Sequence, residues 1–350
     1  MKGKLITLQH HADDYECMWN GIEDLYIRDT GQTLPPNFFF SLASFGAFCY
    51  MKTPKSELKR MLALGDGRTK QMYKFLAPIV GFEYRHYEYK LFQQAITKAK
   101  KEVFAGYPVV LGALDMYHLP YYPKLYHMVH IPFHYNLMVG YDDDAQCIYV
   151  YDCGHSDLQT LSYDELSYAW DCSYPGLSKP YTLCTIRMNT TKDKYQIAKE
   201  ALAKRSEMFL NPPVSFIGRK GFEKFIHELP KLKYELDKED YDKLLTNMVM
   251  FFGEVPTLPN ALLGINEPDK VKYGGGFDKM SRVLYDLGLE YDNKSWLDIS
   301  ERFKEGADII SQITNSIVSY LTGKCDDTEK VPALFKRVKE IMTNGFEHLR

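Results

Sequence analysis

No stretch of the sequence runs for about 18 uninterrupted apolar residues, the length a membrane helix needs, so nothing in it reads as a membrane span. Nor is there a C-x-x-C pair. The seven cysteines, at positions 17, 49, 147, 153, 172, 184 and 325, are odd in number and scattered, which speaks against a disulfide scaffold and for a reducing compartment. An excess of one charge is missing as well. The 43 basic and 46 acidic side chains leave a formal −3, which gives no global reason to expect nucleic acid as a partner. The opening M-K-G-K-L-I-T-L-Q-H-H-A-D-D lacks the apolar core of a signal peptide, and neither repeats nor low-complexity tracts appear. These absences predict a cytoplasmic protein that engages neither membrane nor nucleic acid.

What the chain does have is aromatic weight and a change of character partway along. Of 350 residues 45% are apolar and 14% aromatic, enough for one large domain or two ordinary ones, and many of the 27 tyrosines fall between Tyr107 and Tyr151. The first half mixes strand and helix signals. Strands are predicted at 5–8, 82–87, 109–114, 134–141, 147–152 and 181–187. Helices are predicted from Cys17 to Tyr26, over 55–79 with a break at Gly65-Asp66-Gly67, and over 91–104 and 162–170. From about residue 190 the segments 196–209, 222–232, 238–252, 277–287, 296–321 and 331–349 all carry apolar stripes between charges, the pattern of packed helices. The expected architecture is therefore α+β, with residues 1–190 forming a sheet-containing domain and 191–350 an all-helical one.

The most informative stretch is I-P-F-H-Y-N-L-M-V-G-Y-D-D-D-A-Q-C-I-Y-V-Y-D, residues 131–152. Two strand-like runs flank Asp142, Asp143 and Asp144, side chains that favour turns. If those three form the loop of a hairpin, Asp152 falls opposite His134, and directly opposed side chains share a face with Cβ atoms roughly 5 Å apart. An imidazole held by a carboxylate is the orienting half of a nucleophilic triad. Cys17, at the start of the first helix, is the candidate nucleophile, because unpaired N–H groups at a helix N-terminus favour a thiolate. Its alternative is a buried cysteine on an apolar helix face. Cys153, one residue past Asp152, is expected to point away from His134. A metal site assembled from His118, His127, His130, His134 and His155 competes for the same region, but these residues lack the spacing of a zinc-binding helix or finger, so no metal is expected. Gly274-Gly275-Gly276 lacks the Lys-Ser/Thr of a phosphate loop and reads as a turn or helix entrance.

An early cysteine, a later histidine on a strand and an acid on the next strand follow the order of papain-like cysteine enzymes. With G-Y-P-V-V-L-G-A-L-D, H-Y-N-L-M-V-G-Y-D and Y-V-Y-D-C-G, the first half resembles the N-terminal domain of the butirosin H family, itself similar to the peptidases that trim bacteriocin leaders. The helical half is similar to the domain that follows in that family. The chain is also similar to the amide-forming enzyme of closthioamide assembly. The resemblance implies ATP-independent acyl transfer: Cys17 takes an acyl chain from the phosphopantetheine thioester of an acyl or peptidyl carrier protein, His134 acts as base, Asp152 orients it, and an amine, such as a diamine, accepts the chain in natural-product biosynthesis. It implies no bound cofactor and leaves a homo-oligomer open. Relatives place a glutamine shortly before the cysteine; here His11 and Gln9 stand nearby as candidate oxyanion donors, beside the N–H of Cys17 itself. Tyr117, Tyr121, Tyr122 and Trp19 are candidate groove residues, with the helical half covering the acyl and substrate cleft. A cysteine peptidase or thioester hydrolase with the same triad, and a non-catalytic binding module, are the alternatives.

Overall fold

The computed structural model describes residues 2–12, 17, 21–54, 56, 58–63, 65, 68–173, 179–252, 275–325 and 327–350. The chain forms two compact units, Met1–Leu34 with Gly67–Lys194, and Pro35–Asp66 with Tyr195–Arg350. This differs from the expected division at residue 190: the segment 35–66 packs with the helical half, not with the sheet. The reason lies in its aromatic side chains. Phe48 stacks on Phe222 at 4.3 Å, Tyr50 lies 5.3 Å from Phe225, and Phe45 meets Phe277, Phe303 and Phe346.

The first unit is built on an antiparallel sheet. In chain order its strands are β1 (Gly3–Leu5), β4 (Phe82–Glu88), β5 (Val109–Leu114), β6 (His134–Asp142), β7 (Cys147–Asp152), β8 (His155–Ser162) and β9 (Thr182–Met188). The numbering leaves room for β2 (Cys49–Lys52) and β3 (Arg60–Ala63) of the other unit. The spatial order is β4-β9-β5-β6-β7-β8, with β1 on β6. Strand β5, V-V-L-G-A-L, is buried along its whole length, as an uninterrupted apolar run requires. Its neighbours are flanked by α1 (Ile22–Thr30), α3 (Thr69–Leu76), α4 (Phe92–Phe104) and α5 (Tyr163–Trp170). Ala95, Ile96, Ala99 and Val103 form the apolar stripe of α4 and share a core with Leu111, Met138, Ile148, Val150 and Trp170. Helix α5 starts at a capping box in which Ser162 and Glu165 satisfy each other's backbone N–H groups, worth about 1 kcal/mol.

The register of β6 and β7 departs from expectation. Asp142 pairs with Cys147, so the turn holds four residues rather than three, and Gly140 pairs with Tyr149. Continued unchanged, that register would put His134 and Asp152 on opposite faces. It is not continued: beyond a bulge at Val139, Met138 pairs with Val150 and Leu137 with Tyr151. The surplus residue restores the alternation, and His134, Asn136, Met138, Val150 and Asp152 come to share one face. His134 and Asp152 are diagonal neighbours across the ladder instead of a directly opposed pair.

The second unit pairs the hairpin β2–β3 with α2 (Phe38–Ser44), α6 (Lys194–Leu210), α7 (Gly218–Glu235), α8 (Lys238–Phe252), α9 (Phe277–Glu290), α10 (Lys294–Leu321) and α11 (Val331–His348). The helix expected over 55–79 is corrected here: Arg60–Ala63 is a strand and only Thr69–Leu76 is α-helical. The hairpin carries Tyr50 to a hydrogen bond with Glu228, a tertiary contact that local periodicity does not encode. Of the glycine triplet, Gly274 lies outside the described residues, and Gly276, at φ 79°, is the N-cap of α9, a helix entrance. Among the described residues no helix is long and apolar enough to cross a membrane.

Candidate active site

His134 opens β6 and Asp152 closes β7, so both sit at the end of the sheet remote from the turn. The two oxygens of Asp152 lie 2.9 and 2.8 Å from Nε2 of His134, and both side chains are buried. Tyr122 donates its hydroxyl to Oδ1 of Asp152 at 2.8 Å and Tyr121 donates to Oδ2 at 3.0 Å. Tyr121 in turn accepts from the amide of Asn136 at 3.3 Å. Burial alone would neutralise Asp152; the charge of His134, its hydrogen bond, and those of Tyr122 and Tyr121 hold the carboxyl below its usual range. His134 answers in kind: burial disfavours its charged form, but Asp152 and then Cys17 outweigh it and raise the imidazole to about 10. Both shifts run in the direction that favours an imidazolium facing a carboxylate.

Cys17 is brought to this pair. Its thiol is buried, lies 3.9 Å from the carbonyl of Phe133, the residue before His134, and acts electrostatically on the imidazole. Helix α1, which follows Cys17, is seated by Gly21. That residue has φ 90°, and a Cβ there would come within 2.5 Å of Cδ1 of Leu137 on β6. Gly21 thus lets the start of α1 lie directly against the strand that carries the histidine.

The other candidates fall differently. Tyr121 and Tyr122, expected along a groove, turn their hydroxyls onto Asp152 and position it. Tyr117 stacks on His130 at 4.1 Å. Trp19 lies outside the described residues. His11 gives Nδ1 to Asp24 at 2.7 Å and Nε2 to Glu23 at 2.9 Å, so both ring nitrogens are engaged away from an oxyanion. Gln9 is exposed. The N–H of Cys17 is the candidate donor carried forward. Cys153 is a correction. Strand alternation ends with β7 at Asp152, and one residue later the chain turns, so the sulfur swings back. Its Sγ, a ring nitrogen of His134 and a carboxylate oxygen of Asp152 all lie within 4.8 Å of one another. Among the described residues these three, and not the histidines of the 115–130 loop, have the spacing to hold a thiophilic cation.

Several functional residues were not visible beforehand. Asp115 caps the turn after β5, bonding the N–H of Tyr117 and of Ile131 and Nδ1 of His130, which shapes the loop that delivers Tyr121 and Tyr122. An Asp directly after a strand is a turn signal, and it was there to read. Asn136 and the pair Glu23 and Asp24 carried no signal of their own.

No curated protein matches the chain. Residues 16–153, which take in Cys17, Tyr121, Tyr122, His134, Asn136 and Asp152, match the family described as butirosin biosynthesis protein H, N-terminal.

Proposed function

We propose that the protein is an ATP-independent acyltransferase of the butirosin H type that forms amide bonds in natural-product biosynthesis. The observation that carries this reading is the buried imidazole of His134, held by Asp152 through Nε2, with the thiol of Cys17 beside it at the carbonyl of Phe133. Cys17 attacks the carbonyl of a carrier-protein thioester as the thiolate, with its proton on His134. The tetrahedral intermediate draws on the N–H of Cys17. The bond to the pantetheine sulfur breaks, and that sulfur leaves with the proton from His134. One thioester replaces another, so the step needs no external energy source. An amine, such as the diamine implied by the likeness to closthioamide assembly, then attacks the acyl-enzyme. His134 removes its proton and returns it to Cys17 as the thiol departs. The papain-like description of the fold belongs to the same proposal.

The test is intact mass after incubation with acyl-loaded carrier protein, with and without a diamine. An acyl adduct on Cys17 that yields amide only with amine supports transfer, whereas rapid release of free acid without amine points to a hydrolase. Cys17→Ala is expected to abolish the adduct. An adduct that survives this change sinks the assignment of the nucleophile.

A further inference from the structure

Seven residues before Cys17 the chain carries a second histidine–carboxylate network. Nδ1 of His10 lies 2.7 Å from Oδ2 of Asp24, and Nδ1 of His11 lies 2.7 Å from Oδ1 of the same carboxylate. Nε2 of His11 meets Glu23 at 2.9 Å. Both acids are buried on α1. The other nitrogen of His10 faces the opposite way: Nε2 lies 3.1 Å from the carbonyl oxygen of Asp152 and 3.0 Å from that of His155. The ring stacks on Tyr151 at 4.5 Å, and its side chain is 2% exposed. From the stretch before Cys17, His10 therefore joins α1 to the facing ends of β7 and β8.

We infer that His10 is a positioning residue for the reaction, a clamp that closes the base of the loop bearing Cys17 and ties it to the strand end bearing Asp152. This rests on the acyltransfer reading, but the geometry extends beyond the matched family segment, since His10 and His155 lie outside residues 16–153. The physical reason is leverage. Cys17 falls between His10 and Asp24 in the sequence, and the His10 and His11 bonds join those two positions. Closing a loop at its base removes most of the conformations open to its tip. Bonding that base to the carbonyl of Asp152 sets the tip relative to the carboxylate that orients His134. Cysteine and imidazole are thereby positioned through bonds made away from the reacting atoms, at Asp24 and at the carbonyls of Asp152 and His155. His11 joins the same two positions through Asp24 and Glu23, while the bonds to the carbonyls of Asp152 and His155 come from His10.

Cys17 alkylation by iodoacetamide, followed by mass spectrometry across pH on the full chain, tests the clamp without acyl transfer. His10→Ala is expected to slow alkylation at neutral pH by about tenfold to a hundredfold and to alter its pH profile, as a misplaced base does. Added imidazole, which fits the vacated site, is expected to restore part of the rate. His11→Ala is expected to lower thermal stability while changing the rate only a few-fold, because the bonds to the Asp152 and His155 carbonyls remain. A folded His10→Ala protein that alkylates with the wild-type rate and pH profile overturns the inference. If His10→Ala does not fold, His10→Phe keeps a ring against Tyr151 but has no N–H for the carbonyls, and wild-type alkylation in that variant overturns it equally. Normal alkylation chemistry in the wild type with no acyl adduct counts against the acyltransferase, not the clamp.

Discussion

Of the histidine–carboxylate networks among the described residues of the sheet unit, the one at His10 and His11 and the one at His134 differ in what is left over. At His10 and His11 each ring nitrogen meets an acceptor, two carboxylates and two carbonyls among them. At His134 the carboxylate takes Nε2 while the hydroxyls of Tyr121 and Tyr122 fill the rest of Asp152, and the imidazole also feels the thiol of Cys17. An imidazole with both nitrogens bound to fixed acceptors can only hold; one with a proton-carrying sulfur beside it can also react. Burial is similar at His10 and His134, so it does not decide between those two.

The largest effect is expected from Asp152→Asn. The amide cannot stabilise the imidazolium, and by analogy with other triads the rate of Cys17 acylation should fall about 10³- to 10⁴-fold. Leaving His134 buried without its counter-charge should also cost about 3–5 kcal/mol by denaturant melts. A loss of stability with acylation intact would move His134 into the holding class with His10. Next comes Gly140→Ala. A Cβ there would lie 2.8 Å from the carbonyl of Lys4 on β1 and 2.9 Å from Tyr149, so the bulge beside it must reorganise. The expected cost is about 1–3 kcal/mol, and alkylation of Cys17 should fall if the alternation of β6 is lost. The smallest effect is a pH dependence. His11 is raised from 6.5 to about 10 by Asp24 and Glu23 against the opposing effect of burial. A histidine raised on folding stabilises fully below its unfolded value, and that contribution fades as pH climbs from 6.5 to about 10. The melting temperature should decline over that window, and His11→Gln should flatten the decline. An unchanged slope in that variant would assign it to His134, which is raised in the same direction.

Much of this was legible in the sequence because β propensity and turn residues are local. The strand from Cys147 to Asp152, the helices of the second half and the pairing of His134 with Asp152 could all be read from periodicity. The face shared by those two residues was inferred through a three-residue turn that does not exist. A four-residue turn and a bulge together shift the pairing by two positions, which leaves the alternation as it was. A bulge has no signature in side-chain pattern, and V-G within a buried run looks like ordinary strand. The hairpin at Cys49–Lys52 and Arg60–Ala63 was illegible for another reason: its stabilising partners, Phe222, Phe225 and Glu228, lie far along the chain. The swing of Cys153 toward His134 was missed because alternation was extended one residue past the strand's end.

Val139, the residue in excess, does more than correct a count. Its carbonyl accepts the N–H of Ile6 at 2.8 Å, just where the chain leaves β1 on its way to His10. Anyone transplanting this catalytic hairpin into another scaffold would therefore find that residues 134–152 are not a self-sufficient cassette. The smallest portable piece includes the N-terminal segment through α1, because one spare peptide unit both aims the histidine and moors the strand that brings its cysteine.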